Sequence, residues 1–445
     1  MDKFFKLKQN NTDVKTEILA GLTTFMAMAY IIIVNPLTLV GPESPLFGAV
    51  LTATCIAAAI GSLVMGLYAN LPFAQAPGMG LNVFFAVTLM GKMGYTFNQS
   101  LAVVFISGCV FLILTVTGLR EKIVNAIPAN IKFALTAGIG LFIALIGMKT
   151  AGILVGTKDG FFLADFTKFN DSKTAILAII GLIIIGLLML YKIKGALLIG
   201  IITTTILGIP FGITKIASLK TASWTPPSIE PTLFKLDFSG LFADKGVGQT
   251  LLTLLMVIVA FTLVDMFDTI GTLVGTATKA GMVDENGRVL RMNKALFADA
   301  IATTVGALIG TSTVTTYLES NTGVSEGGRT GLTAVVVAIL FILALFLSPI
   351  ALLIPAAATA PALIMVGVLM IGAVKNINFD DLDEAIPAFL TMVMMPFAQN
   401  ISTGIAFGFI SYAFLKLFKG KGKEVHPIIY VLAILFIIKF TVIGG

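Results

Sequence analysis

Asp265 and Asp268 stand three residues apart in FTLVDMFDTIGTL, residues 261–273, a stretch that is otherwise apolar and of helical length. Positions i and i+3 share a helix face, so both carboxylates would point the same way. A charge near the centre of a bilayer costs about 2.5 to 3.5 kcal/mol on insertion scales, so acids kept there mark a substrate or proton path. Glu319 is a third acid, in an interrupted apolar segment reading TVTTYLESNTGVSEGG, and Asn82 is an amide in another, APGMGLN. A carboxylate accepts hydrogen bonds, whereas an amide both donates and accepts, so together they can read the polar edge of a flat ligand in a dry pocket. A carboxylate kept from water can also exchange a proton in the physiological pH range. His426, the one histidine, lies far along the chain from these groups, so a coupling proton would ride on a carboxylate.

The elements that must hold these groups are membrane helices. Of 445 residues 57% are hydrophobic and 12% charged, a balance outside the range of soluble domains. Apolar runs long enough to cross a hydrocarbon core of about 30 Å recur throughout. They predict spans at 16–39, 46–69, 72–90, 97–119, 127–149, 173–192 and 195–213, and, after a polar loop with Trp224, Pro226 and Pro227, at 248–275, 292–310, 313–329, 331–354, 358–374, 384–397 and 399–418. A last apolar stretch, 426–443, follows the Lys419, Lys421, Lys423 cluster and reads as a further span or as an interfacial helix. The polar N-terminus, 1–15, lacks the features of a secretory signal and is expected to stay cytoplasmic. Cys55 and Cys109 sit in apolar segments outside any metal-ligand spacing, so no disulfide framework, metal or other cofactor is expected. The net charge of +6 is better explained by Lys and Arg retained on the cytoplasmic side than by a nucleic-acid partner.

Fourteen spans with a cytoplasmic start place Arg120, Lys122, Lys192, Lys194, Arg288, Arg291, Lys294 and Lys416 to Lys423 inside. The outer loops then carry Lys158, Lys168, Lys220 and Lys235 mixed with Asp159, Asp165, Glu230 and Asp237, as the positive-inside rule expects. Two segments, 71–91 and 310–331, are too short and too interrupted for ordinary spans, and each is third in its group of seven. Such pairs point to discontinuous helices meeting at a central binding site. Ile127, Pro128, Ala129 and Gly140 match Ile354, Pro355, Ala356 and Gly367 at an offset of 227, and Ile56, Ala57, Gly61 and Leu63 match Ile301, Ala302, Gly306 and Leu308 at 245. Seven is odd, so the second repeat would enter the membrane from the other side, giving inverted repeats and an alternating-access carrier. A membrane aspartyl enzyme would need aspartates on two facing helices and a GxGD motif, and neither HExxH nor GxSxG is present. A channel would differ from a carrier by unsaturable flux.

The ordered motifs TEILAGLTTFMAMAYIIIVNP ending at Pro36, APGMGLN at 76–82, VDMFDTIGTL at 264–273 and TVTTYLESNTGVSEGGRTGLTA at 313–334 resemble the AzgA-like purine permeases of the nucleobase:cation symporter group, relatives of the uracil and xanthine permeases. The resemblance covers nearly the whole chain, and the ESNTGVSEGGRTG form favours the purine branch. It implies an all-α polytopic membrane protein of seven plus seven inverted spans, with short extended segments in discontinuous spans 3 and 10. A core domain would comprise 16–119 and 248–354 and a gate domain 127–213 and 358–418, with 214–247 an external loop and 419–445 a basic segment and apolar helix. The activity implied is uptake of hypoxanthine, guanine or adenine across the cytoplasmic membrane, by proton rather than sodium symport, in a homodimer. Xanthine, uracil or a small anion on the same fold is the alternative.

By motif, Asp268 and Glu319 hold the base and are the candidates to carry the proton, Asn82 is the amide of span 3, and Asp265 supports Asp268. Asp265 itself, and Leu318 and Ser320 on either side of Glu319, are further candidates to bind the base, and Phe73 and Gln75 are candidates to stack on or bond it; no residue is expected to be catalytic. Competing roles are helix tying for Asp265, capping for Glu319, satisfaction of freed backbone groups for Asn82, pairing within the core for Asp299, and an Arg329–Glu326 pair.

Overall fold

A computed structural model describes residues 2–156, 162–164, 172–216, 224–242, 247–283, 289–438 and 440–441 of the 445-residue chain. Lys158, Asp159, Asp165, Lys168, Lys220 and Arg288, used above for orientation, lie outside the described residues.

Uninterrupted apolar runs form the long helices. Span 1 is Val14–Leu39, span 2 Phe47–Ala69, span 4 Phe97–Val116, span 5 Ala129–Thr150 and span 6 Lys173–Leu190. Span 7 is the shorter Ala196–Leu207, span 8 Val247–Lys279 and span 9 Met292–Ile309. Spans 11 to 14 are Gly331–Ala351, Ala356–Asn376, Leu382–Phe397 and Ile401–Phe418. Just before span 1, Asp13 accepts from the Thr16 amide at 2.8 Å, and that bond holds its carboxyl below the usual range.

Spans 3 and 10 break where their sequences cannot continue a helix. In span 3 the strand Gln75–Pro77 ends at a proline, which has no N–H to donate, and helix resumes at Met79–Lys92. In span 10 the β-branched run Val314–Thr316 is extended, and a short helix follows at Ser320–Ser325. The two strands pair antiparallel, Gln75 opposite Thr316, Ala76 opposite Thr315 and Pro77 opposite Val314. Backbone groups freed by each break are thereby satisfied by the other, which a chain inside a bilayer requires.

The helices pack in two groups. Span 4 lies on span 9, span 2 on spans 9 and 11, and span 1 on spans 10 and 11, while span 5 lies on spans 12, 13 and 14 and span 6 on spans 7 and 12. Residues matched across the repeats meet face to face. A Cβ added at Gly140 would come 3.0 Å from the Gly367 carbonyl, and one at Gly367 would come 2.5 Å from the Gly140 carbonyl. Contact between equivalent residues is what a pseudo-two-fold axis between the halves produces.

One reading stays open and one expectation changes. In the last apolar stretch the described helix runs Pro427–Ile438, and Phe436 lies beside Phe409 of span 14. Arg120 and Lys416 are not solvated charges. Arg120 is 1% exposed and paired with Asp299, and Lys416 is held at 2.9 Å by both Asp383 and Glu384.

Candidate functional site

The crossing of the two broken spans is where the carboxylates gather. Asp268 of span 8 is half-buried, and its Oδ2 lies against the turn at Gly78, where a Cβ would come within 3.5 Å of it and 2.7 Å of Thr315 Oγ1. Glu319 is half-buried at the start of the short helix of span 10. It makes no capping bond; its Oε1 accepts from the Tyr30 hydroxyl at 2.8 Å. Asp268, Glu319, Tyr30 and Tyr317 form one electrostatically interacting group. Tyr317 is itself occupied, since its hydroxyl donates to the Pro77 carbonyl and locks the two strands together.

Asn82 is fully buried in the helix of span 3, and its Oδ1 accepts from the Ser312 hydroxyl, tying that helix to the entry of span 10. Ser320 is also buried, and its Oγ accepts from the Ala74 amide at 3.0 Å. Leu318, between Tyr317 and Glu319, is 46% exposed. Phe73 and Gln75 are placed otherwise than expected. Phe73 is enclosed in an apolar cluster with Met65, Leu71, Leu273, Leu296 and Val324. Gln75 is fully buried, bonds Thr316 Oγ1 through its amide nitrogen at 3.3 Å, and turns its oxygen toward Gly61. Strand register decides this, because alternate side chains of so short a ladder face opposite ways.

Asp265 belongs to a second, deeper cluster. It is fully buried, and neither carboxylate oxygen has a hydrogen-bond partner among the described residues. Next to it Asp299 accepts from Arg120 at 3.0 Å and from Thr269 at 2.8 Å, and Asp265 interacts electrostatically with both members of that pair and with Asp268. Arg120, which charge counting had assigned to a cytoplasmic loop, is thus a buried cation beside Asp265. The expected Arg329–Glu326 pair does not form. Arg329 bonds the carbonyls of Val324 and Gly328, and Glu326 pairs with Lys194.

Residues 15–407 match the family model Xan_ur_permease, Permease family. The chain belongs to this permease family. Among its relatives, the adenine permease AdeP of Escherichia coli (strain K12) is 42% identical over 446 residues, covering 100% of this chain and 97% of AdeP. The guanine/hypoxanthine permease PbuO of Bacillus subtilis (strain 168) is 43% identical over 444 residues, covering 99% of this chain and 100% of PbuO. Among solved structures, the transmembrane domain of a cyanobacterium bicarbonate transporter, BicA, superposes with a TM-score of 0.65 at 17% identity, over 87% of this chain and 97% of BicA. The permease therefore has the seven-plus-seven inverted-repeat transporter fold, with spans 3 and 10 discontinuous.

Sequence reasoning missed two acids' partners in this permease. Glu17, within the TEILAGL motif, is fully buried and accepts from the amides of Arg329, Thr330 and Thr333 and from the Thr333 hydroxyl, so span 1 holds the start of span 11. Tyr30 is the one hydroxyl in MAMAYIIIV, an apolar run in which a polar tip was a usable signal.

Proposed function

We propose that this permease takes up purine nucleobases by proton symport, the base lying between Asp268 and Glu319 where spans 3 and 10 cross. The observation that carries the reading is the convergence of these two half-buried carboxylates, from different spans, on paired extended segments. Two acids in one dry pocket can accept N–H groups from a heterocycle edge, and a base that left them unpaired would be rejected. Relatives of matching length named as adenine and guanine/hypoxanthine permeases support a purine substrate. In this reading spans 1–4 and 8–11 are the core and spans 5–7 and 12–14 the gate of an alternating-access cycle. Asp268 and Glu319 carry substrate and proton, and Asp265 supports Asp268 from behind. The N-terminus is cytoplasmic, as the distribution of Lys and Arg supports, and two copies associate, as the family resemblance implies.

The test is uptake of radiolabelled hypoxanthine by cells lacking their own purine permeases, with adenine, guanine, xanthine and uracil as competitors. Asp268→Asn and Glu319→Gln are each expected to cut uptake by about 100-fold or more with the protein still in the membrane, since each removes a charged acceptor from the pocket. Wild-type uptake in either variant would sink the site. Uptake should collapse when the proton gradient is dissipated, and dependence on a sodium gradient instead would refute proton coupling. Competition by uracil but not by purines would move the substrate to the alternative branch.

A further inference from the structure

Glu319 has three rotatable side-chain bonds, and Asp268 lies within electrostatic range of it, a like charge that favours other rotamers if nothing holds it. Among the described residues its side chain makes one hydrogen bond, from the Tyr30 hydroxyl to Oε1 at 2.8 Å. Tyr30 is 2% exposed and sits at the junction of the helical stretches Val14–Met28 and Ile31–Leu39 of span 1. From there its hydroxyl reaches span 10, 289 residues away in sequence. The other phenol nearby cannot do this work, because the Tyr317 hydroxyl is engaged by the Pro77 carbonyl.

We propose that Tyr30 is a positioning residue that fixes the Glu319 carboxylate, with Oε1 held by the phenol and Oε2 presented to an N–H of the bound base. The role rests on the purine-uptake reading above and adds the residue that sets which N–H the site reads. A neutral donor suits the task. It neither cancels the charge that Glu319 offers the ligand nor competes as a second acceptor, and its rigid ring transmits the position of span 1 to the site. Because span 1 also carries Glu17, which holds the start of span 11, the carboxylate is referenced to a frame fixed at two points.

The experiment compares wild type, Tyr30→Phe and Glu319→Asp for hypoxanthine uptake, with N-methylated hypoxanthines as competitors. Phenylalanine keeps the ring and removes the hydroxyl; aspartate keeps the charge and draws it away from the phenol. Tyr30→Phe is expected to raise KM about tenfold, the effect of losing one hydrogen bond to a charged group, with Vmax per molecule within about twofold. Discrimination between hypoxanthine and its N-methylated forms should shrink in both variants. KM and the discrimination ratio do not depend on protein amount, so a merely structural loss would lower Vmax and leave both unchanged. Saturable wild-type uptake with unaltered KM and ratio in Tyr30→Phe would overturn the role alone. Absence of saturable purine uptake by wild type would overturn the parent reading and this role with it.

Discussion

A methyl group at residue 78 would reach the centre of the site. Gly78 has φ −79°, which any residue can adopt, so its lack of a side chain answers to space. A Cβ there would lie 2.7 Å from Thr315 Oγ1, 3.1 Å from its Cγ2 and 3.5 Å from Asp268 Oδ2. The first is closer than packed atoms tolerate and the second is tight, and overpacking of this kind costs about 1 to 3 kcal/mol. Since Thr315 is paired in the ladder, the strain must open the strands or displace Asp268. Gly78→Ala is therefore expected to cut uptake at least tenfold, whereas Gly271→Ala, on the same span as Asp268 but with nothing within 4 Å, should stay within about twofold of wild type. Uptake normalised to membrane protein decides it; equal activity of the two variants would mean that the Gly78 approach does not constrain the site.

At the scale of elements, one ion pair ties the segment after span 4 to span 9. Arg120, in the helix Leu119–Ala126, reaches the Leu296 carbonyl at 3.2 Å and Asp299 at 3.0 Å and lies over the Phe111 ring at 4.7 Å. Removing one partner of a buried pair strands the other charge, at a cost of about 3 to 5 kcal/mol, whereas replacing both by apolar groups is often neutral. Arg120→Ala should thus lower the melting temperature of the detergent-purified protein markedly, and Arg120→Met with Asp299→Leu should recover most of it. Failure of the double variant to recover would show that the pair does more than hold the helices. The positive-inside rule could not foresee this, because it counts charges and is blind to partners that folding supplies. The broken spans, by contrast, were legible in Pro77, Gly78 and the Val314–Thr316 run, since those residues act through local backbone preference. Asp268 and Glu319 were legible because an acid in an apolar run is conspicuous by itself. The partners of Tyr30 and Glu17 were not, as they lie 289 and more than 300 residues away and only the packing of span 1 on spans 10 and 11 brings them near.

For the whole molecule, the two helix groups touch through polar contacts at opposite ends. Lys194, between spans 6 and 7, pairs with Glu326 at the end of the span 10 helix, and Lys92, at the end of span 3, bonds the Ala398 carbonyl between spans 13 and 14. If the groups rock about the site, neither contact survives a full cycle, and each favours closure at its own end. Beside the Lys92 end lies a cavity of about 260 Å³ between the groups, lined by Thr38, Val83 and Val87 on one side and by Ile146, Thr150 and Thr359 on the other. The Lys194–Glu326 pair is partly exposed, at 53% and 21%, so it contributes no more than about 1 kcal/mol, which bounds the population shift on its removal at about fivefold. In a Cys109→Ser background, with Cys55 buried, Thr359→Cys reports whether that cavity is open. Lys194→Ala is expected to slow labelling of this cysteine by a membrane-impermeant maleimide by up to about fivefold, because loosening one end favours closure of the other. Lys92→Ala should speed it. Rates unchanged in both variants would mean that these contacts do not bias the rocking equilibrium; changes of the same sign would mean that the groups do not move as two bodies about the site.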